Sequence, residues 1–144
     1  MRTLFCVTVI AASFSLISCE TEGTGDSLPA PLMQRDWQAT SIAGQAVVIP
    51  NPVTLTFSED RVAGRSGCNQ YSGAATYDNH HIKIGPMIST KMACIGDGIM
   101  EVESKYLNAM QSAQTYAIAQ DGKLTIEGAL GPIVFEPRAR QVRP

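Results

Sequence analysis

The residues of this chain that could carry out chemistry are chiefly its cysteines and histidines. Cysteines stand at positions 6, 19, 68 and 94, and the two histidines, His80 and His81, are adjacent. A cysteine can form a disulfide, bind a metal, act as a nucleophile or carry a lipid. The sequence around each cysteine therefore decides which of these uses it supports.

Cys19 lies at the end of a segment with the layout of an export signal. Arg2 is followed by an uncharged, mostly apolar run over residues 3–18, which is shorter than the about 20 apolar residues of a membrane-spanning helix. The tetrapeptide Leu16-Ile17-Ser18-Cys19 resembles the lipobox of bacterial lipoproteins. This resemblance implies that residues 1–18 are a signal peptide and that a diacylglycerol is attached to the Cys19 sulfur. The alternative is a plain secretory signal with an incidental cysteine.

Cys68 and Cys94 remain as an even pair once Cys19 is assigned to the lipid. In an oxidising compartment such a pair favours a disulfide, which would stabilise the fold by about 3.5 kcal/mol in the chain-entropy model. Zinc and two unbonded buried thiols are the alternatives. Zinc fits less well, because no close Cys-x-x-Cys pair exists and adjacent histidines on a strand, here His80 and His81, point to opposite faces. No metal is expected.

Catalytic arrangements are weak in this sequence. A Cys68 nucleophile would need a nearby base, and the only histidines lie beyond an intervening strand. Ser66 does not stand in a Gly-x-Ser-x-Gly nucleophile elbow. Glu101 and Glu103 are two residues apart, and on a helix they diverge. The sequence therefore predicts no catalytic residues and no cofactor.

The elements around these residues are mostly strands. Residues 53–58 alternate apolar and polar types, and Asp121-Gly122 is a two-residue hairpin signal. Apolar residues from Ile99 onward recur at helical spacing, which predicts one helix at about 98–112, with Asp97 as a candidate cap. The predicted fold class is α+β: a mainly antiparallel, curved, half-barrel-like sheet of about eight short strands with one helix packed on it.

The chain divides into four segments on this interpretation. Residues 1–18 form the signal peptide, and residues 19–34, which are rich in Gly, Pro, Ser and acids, form a lipidated flexible tether. The folded domain covers residues 35–137, and residues 138–144 form a tail. The chain carries a formal net charge of −2 and no basic block, so nucleic acid is not an expected partner.

Two motifs connect the domain to a known family. The stretch from Val62 to Gly73, with Gly67-Cys68-Asn69-Gln70-Tyr71-Ser72-Gly73 at its centre, resembles the Gly-Cys-Asn-x-Tyr-x-Gly signature of the META domain, the HslJ-like family of bacterial envelope lipoproteins. The segment from Thr90 to Cys94 resembles the Thr-(Arg/Lys)-Met-Ala-Cys element of that family. The resemblance covers about residues 35–137. It implies an exported α+β domain in a family linked to heat shock, novobiocin resistance and, in a parasite, virulence.

The signature has a structural and a functional interpretation. Its glycines permit bends or bulges, and Asn69 can bond the backbone of a turn, which favours the structural one. The functional alternative is a binding rim, with Asn69, Tyr71, Thr90 and Lys91 as the candidate residues.

The sequence favours a non-enzymatic protein, related to stress or antibiotic resistance, that is anchored in a membrane through Cys19. An unknown envelope protein or small ligand would be its partner. Glu20 follows Cys19 in place of the aspartate that signals inner-membrane retention in the lipoprotein sorting rule, which favours the outer membrane, facing the periplasm. The alternative function is a small inhibitor-type module or a hydrolase that acts on an envelope component.

Overall fold

The computed structural model describes residues 30–139. Two helices and nine strands follow one another along this part of the chain: α1 Ala30–Met33, β1 Asp36–Ile42, β2 Gln45–Ala46, β3 Thr54–Ser58, β4 Arg61–Arg65, β5 Gln70–Asp78, β6 His81–Ser89, α2 Ile99–Gln111, β7 Ala113–Ile118, β8 Leu124–Gly128 and β9 Ile133–Arg138. The predicted signal peptide, the lipid site Cys19 and most of the tether lie outside the described residues.

The strands form one antiparallel sheet that closes on itself. Neighbouring strands pair in the order β2-β1-β3-β4-β5-β6-β7-β8-β9, and β1 also pairs with β9, as at Trp37 and Pro137. The two-residue strand β2 pairs only with β1, so eight strands make up the closed barrel. The α+β prediction with one main helix is confirmed, and the closure goes beyond the half-barrel expected from the sequence.

Helix α2 connects the two strands that pair least. The ladder between β6 and β7 consists of a single residue pair, His81 with Thr115, and α2 is the connection between these strands. The predicted helix, 98–112, is found at 99–111. The expected Asp97 cap is wrong: the N-cap residue is Gly98, with φ 75° and no side-chain hydrogen bond. A glycine adopts this left-handed conformation without the steric cost that Cβ imposes.

The core fills the barrel, and its four largest fully buried side chains are aromatic. Trp37, Phe57, Tyr106 and Phe135 are all buried, and the Tyr106 and Phe135 rings meet edge to face at 6.3 Å. This is a favourable arrangement of the ring quadrupoles. Tyr106 belongs to α2, so the helix contributes a central side chain to the interior of the barrel.

The folded part begins earlier than the boundary predicted from the sequence. Residues 30–33, assigned to the tether, form α1, and Leu32 is completely buried. The Leu32 carbonyl accepts a hydrogen bond of 3.2 Å from the Trp37 indole nitrogen. The apolar side chain and this bond hold the short segment against the barrel. At the other end β9 extends one residue beyond the predicted boundary, to Arg138.

Candidate functional site

A buried carboxylate on α2 organises the polar residues of the signature. Glu103 Oε2 accepts hydrogen bonds from Ser66 Oγ at 2.7 Å and from the Asn69 backbone nitrogen at 2.8 Å. Its other oxygen, Oε1, accepts from Asn69 Nδ2 at 2.8 Å. Only 7% of the Glu103 surface is exposed. The helix is thereby bonded to the loop between β4 and β5.

Asn69 continues this network to a third segment. Its Oδ1 accepts from Thr90 Oγ1 at 2.7 Å and from the Met92 backbone nitrogen at 2.8 Å. Its Nδ2 also lies 3.2 Å from the Met92 carbonyl oxygen. An asparagine side chain offers both a carbonyl acceptor and an NH2 donor, and this position uses both. Asn69 therefore links the segment after β6 to Glu103.

The hydrogen bonds keep Glu103 ionised. Burial raises the pKa of its carboxyl group, but the bonds from Ser66, Asn69 and the Cys68 backbone outweigh burial and hold the pKa below its ordinary value. Hydrogen bonds to the charged form have this effect in general. A buried carboxylate that accepts three hydrogen bonds from the protein is a structural acceptor.

Cys68 and Cys94 form a disulfide, with their Cα atoms 5.9 Å apart. The bond joins the β4–β5 loop to the segment before α2, next to the Asn69 network. Gly67 precedes it with φ +105°, and a Cβ at that position would lie 2.7 Å from Ile49 Cδ1. The covalent bond and the hydrogen bonds thus fix the same loop. The bonded sulfur of Cys68 is not a thiol nucleophile.

Hydrogen bonds of two tyrosine hydroxyls connect this region with the interior of the barrel. The Tyr71 hydroxyl donates to the Thr54 carbonyl oxygen at 2.9 Å and lies 2.5 Å from the Tyr106 hydroxyl. Since a hydroxyl has one proton, Tyr106 is the donor to Tyr71. Burial raises the pKa of both tyrosines well above the ordinary value, so both stay protonated. A Cβ on Gly64 would collide with the Thr54 carbonyl group.

The four candidate rim residues do not share one exposed surface. Asn69 and Tyr71 are 2% and 3% exposed, and their polar atoms are engaged inside the protein. Thr90 and Lys91 are exposed on the segment that follows β6. The structure thus separates two buried structural residues from two surface residues.

Sequence reasoning missed the central role of Glu103 and Ser66. A signal for Glu103 existed, because Ile99, Glu103, Tyr106 and Met110 follow the helical spacing of a buried face. A carboxylate in such a stripe needs partners. His80 and His81 are exposed near the β5–β6 turn, and no group of three or more potential metal ligands occurs within residues 30–139.

Two pockets and a group of exposed apolar side chains, here called the apolar patch, stand out on the surface of residues 30–139. A pocket of about 630 Å³ is bordered by Glu59, Asp78, His81 and Lys83, a mixture of both charges. A second, of about 600 Å³, lies over β1, β3 and β4. The apolar patch consists of large exposed side chains on the segment between β6 and α2 and on its two flanks: Ile88, Met92, Ile95 and Met100.

The fold and the network define a small, disulfide-bonded antiparallel barrel with one main helix, α2. The META domain profile matches residues 30–140, which is most of the chain, and the protein therefore belongs to the META domain family. The META domain is not a known enzyme family. No curated protein sequence matches the chain significantly.

Two solved structures share the fold. The NMR structure of a protein from Burkholderia xenovorans superposes with a TM-score of 0.61 at 22% identity, covering 97% of this chain and 100% of its own. A second NMR structure has the same TM-score and identity and covers 76% of this chain and 95% of its own. At this identity the likeness concerns the fold alone.

Proposed function

We propose that this protein is an envelope lipoprotein whose META domain acts by binding, not by catalysis, at the surface of a membrane. Cys19 carries the lipid, residues 20–29 form the spacer, and the domain is held near the periplasmic face of the outer membrane. A protective role under heat or antibiotic stress follows from the family resemblance.

The observation that carries this proposal is the disulfide between Cys68 and Cys94. Disulfides persist in oxidising compartments and are rare in the cytosol, so the bond supports export of the domain. It also supports binding over catalysis, because it uses the cysteine that was the candidate nucleophile. None of the described helices is long and apolar enough to cross a membrane. Attachment in this proposal rests on the lipid at Cys19, because stable anchoring takes more than one acyl chain and the lipobox supplies a diacylglycerol.

Membrane fractionation tests the anchor. In cells that express the full chain, wild-type protein is expected in the membrane pellet after a high-salt wash, and Cys19→Ala is expected in the soluble fraction. Cys6→Ala is the matched control, since that cysteine lies in the removed signal. Mass spectrometry of the wild-type protein should show a lipid on residue 19. Retention of Cys19→Ala in the washed pellet would disprove the lipoprotein assignment.

The apolar patch favours a second candidate, an inhibitor-type module. Ile95 is fully exposed, and it follows directly after Cys94, whose disulfide ties this segment to the β4–β5 loop. A fixed loop with an exposed apolar side chain is what an inhibitor presents to a target. Crosslinking in envelopes tests this candidate: Ile95→Asp should abolish a specific crosslinked partner that Ile118→Asp, an exposed apolar position on β7, leaves unchanged. A crosslinking pattern that is the same in both variants would exclude the loop.

A deletion strain tests the protective role. Loss of the protein should lower survival under heat or novobiocin, and expression of the wild-type chain should restore it. Equal survival of the deletion and parent strains would exclude this role while leaving the anchor assignment intact.

A further inference from the structure

We infer that the 600 Å³ depression over β1, β3 and β4, here called the arginine groove, is a binding site for a phosphate-type oxyanion. Its defining residues are Arg65, Arg138, Thr54, Gln70 and Asn51. Nothing about the fold requires two guanidinium groups at this place. The site is distinct from the Glu103 network, because Glu103, Ser66 and Asn69 are buried and do not line the groove.

The strand register places the two arginines at opposite ends of a row formed by Asp36, Thr56 and Ala63. Arg138 pairs with Asp36 across β9 and β1, and Thr56 pairs with Ala63 across β3 and β4. Arg65 lies two residues beyond Ala63 on β4, on the same face of the sheet. From β9 to β4 is three strand spacings, or about 14 Å. Both arginines nevertheless line the same depression.

The regular hydrogen-bonded ladder between β3 and β4 is interrupted under the groove. The ladder pairs of β3 and β4 are Thr56–Ala63, Phe57–Val62 and Ser58–Arg61, and pairing resumes only at the isolated Val53–Ser66 bridge. Between these points side chains replace the ladder bonds. The Arg65 backbone nitrogen donates to Thr54 Oγ1 at 3.0 Å, and the Thr54 carbonyl accepts from the Tyr71 hydroxyl.

Donors outnumber acceptors among the groove side chains. Thr54 Oγ1 accepts from a backbone nitrogen, and its own proton has no acceptor within residues 30–139. Neither guanidinium group has an ion-pair partner in that range, although both arginines are half-buried. Asp36, the one carboxylate in the lining, accepts from Thr56 Oγ1 at 3.3 Å. The groove thus carries an excess of positive charge.

The geometry of the donors selects the ligand class. The planar guanidinium group of an arginine can donate hydrogen bonds to two oxygens of one phosphate group at once. A partly buried guanidinium group has fewer water molecules around it, so a bound anion stabilises it more than it would an exposed one. A hydroxyl and two amide side chains complete a donor-rich site. A phosphate group of a soluble metabolite or of a lipid headgroup offers the matching oxygens.

The position of the groove makes it accessible both to a soluble phosphate metabolite and to a lipid headgroup. The folded part begins at α1, whose first residue, Ala30, lies 11 residues after Cys19, so a fully extended tether would reach about 40 Å at most. The next element, β1, begins at Asp36, which lines the groove at this end of the barrel. A groove at this end of the barrel can contact the headgroup layer to which the protein is attached. The oxyanion site stands on the described residues alone, and only its lipid source rests on the proposed anchor.

The test uses the chain from residue 19 onward with Cys19→Ala, so that no lipid is attached. Inorganic phosphate and glycerol phosphate are titrated by calorimetry and by NMR chemical shifts. Vesicles of equal parts phosphatidylglycerol and phosphatidylcholine are compared with pure phosphatidylcholine by co-sedimentation. The variants are Arg65→Gln and Arg138→Gln, and the control is Arg61→Gln, which is exposed and outside the groove.

Saturable binding of a phosphate probe, weakened at least about tenfold by each groove variant and not by Arg61→Gln, would support the site. If only the two soluble probes bind, the source is a small metabolite. If anionic vesicles also bind and depend on Arg65 and Arg138, the source is a headgroup. No saturable binding of any probe, or equal binding by the groove variants, would overturn the inference. Thermal unfolding of each variant shows that it is folded, and the Cys19 fractionation result is independent of all these outcomes.

Discussion

Replacing Glu103 by glutamine should destabilise the protein strongly, although the two side chains have almost the same shape. The carboxylate accepts from three donors: Ser66 Oγ, the Asn69 backbone nitrogen and Asn69 Nδ2. A glutamine has one acceptor oxygen, so whichever way its amide is turned, its NH2 group faces at least one of these donors. The variant therefore loses both the charge and the acceptor geometry.

The magnitude follows from the three bonds. Hydrogen bonds to a charged group contribute about 1.5–3 kcal/mol and neutral ones about 0.5–1.5 kcal/mol, so each bond weakens by about 1 kcal/mol. The free energy of unfolding should thus fall by about 3 kcal/mol. For a folded domain of this size Tm should fall by about 12 °C. Equilibrium denaturation of the oxidised protein measures both values.

The pH dependence separates this explanation from a simple packing effect. The folded-state pKa of Glu103 is lowered, so its stabilisation is fully present above the unfolded value of about 4.3 and is lost as pH falls through the folded pKa. The difference between wild type and Glu103→Gln should therefore be largest near neutral pH and shrink in acid.

The matched control for this variant is Glu101→Gln on the same helix, an exposed residue paired with Lys105, which should change stability little. A loss below about 1 kcal/mol for Glu103→Gln, or a loss that is the same at neutral pH and in acid, would refute the reasoning.

Three further predictions concern the same region. Replacing Cys68 and Cys94 together by serine should lower the free energy of unfolding by about 3 kcal/mol, which denaturation with and without reductant will check, since reductant should then affect only the wild type. Gly64→Ala should lower Tm sharply, because the added Cβ would collide with a backbone carbonyl. Gly85→Ala is the control, because its Cβ would make only ordinary contacts. Equal Tm values for the two variants would contradict this prediction. Tyr71→Phe should cost about 1–3 kcal/mol, because the part-buried Thr54 carbonyl and the buried Tyr106 hydroxyl both lose this partner. A neutral effect in urea denaturation would show that water replaces the Tyr71 hydroxyl.

Local sequence patterns predicted the helices and strands well, because the apolar spacing and the turn residues that define an element lie within it or next to it. The apolar spacing from Ile99 onward located α2 within one residue at each end, and Asp121-Gly122 marked the turn between β7 and β8. Barrel closure was not predictable in this way, since β1 and β9 are paired across almost the whole domain, as at Trp37 and Pro137. A local sequence pattern does not show which two strands, far apart in the sequence, pair to close the barrel.

The candidate site was predictable only in part. The cysteine pair followed from counting, and Asn69 followed from the backbone bonding that asparagine favours in turns. The role of Glu103 was not predictable in this way, because its partners, Ser66 and Asn69, lie 37 and 34 residues away. The buried position of Tyr71 likewise depends on Tyr106, 35 residues later, which no short motif contains.

Because the barrel closes through β1 and β9, the same fold could be formed by a chain that begins at a different strand. Asp36 and Arg138 are directly paired, so the described chain enters and leaves the barrel at one point, with Cα atoms about 4.5–5.5 Å apart. A linker from the end of β9 to the start of α1 could join the two ends while the exposed β5–β6 turn at Asn79 is opened, giving a circular permutant that keeps every ladder. The same geometry lets the barrel be grafted into an exposed loop of a host protein, because the host has to supply only two adjacent attachment points.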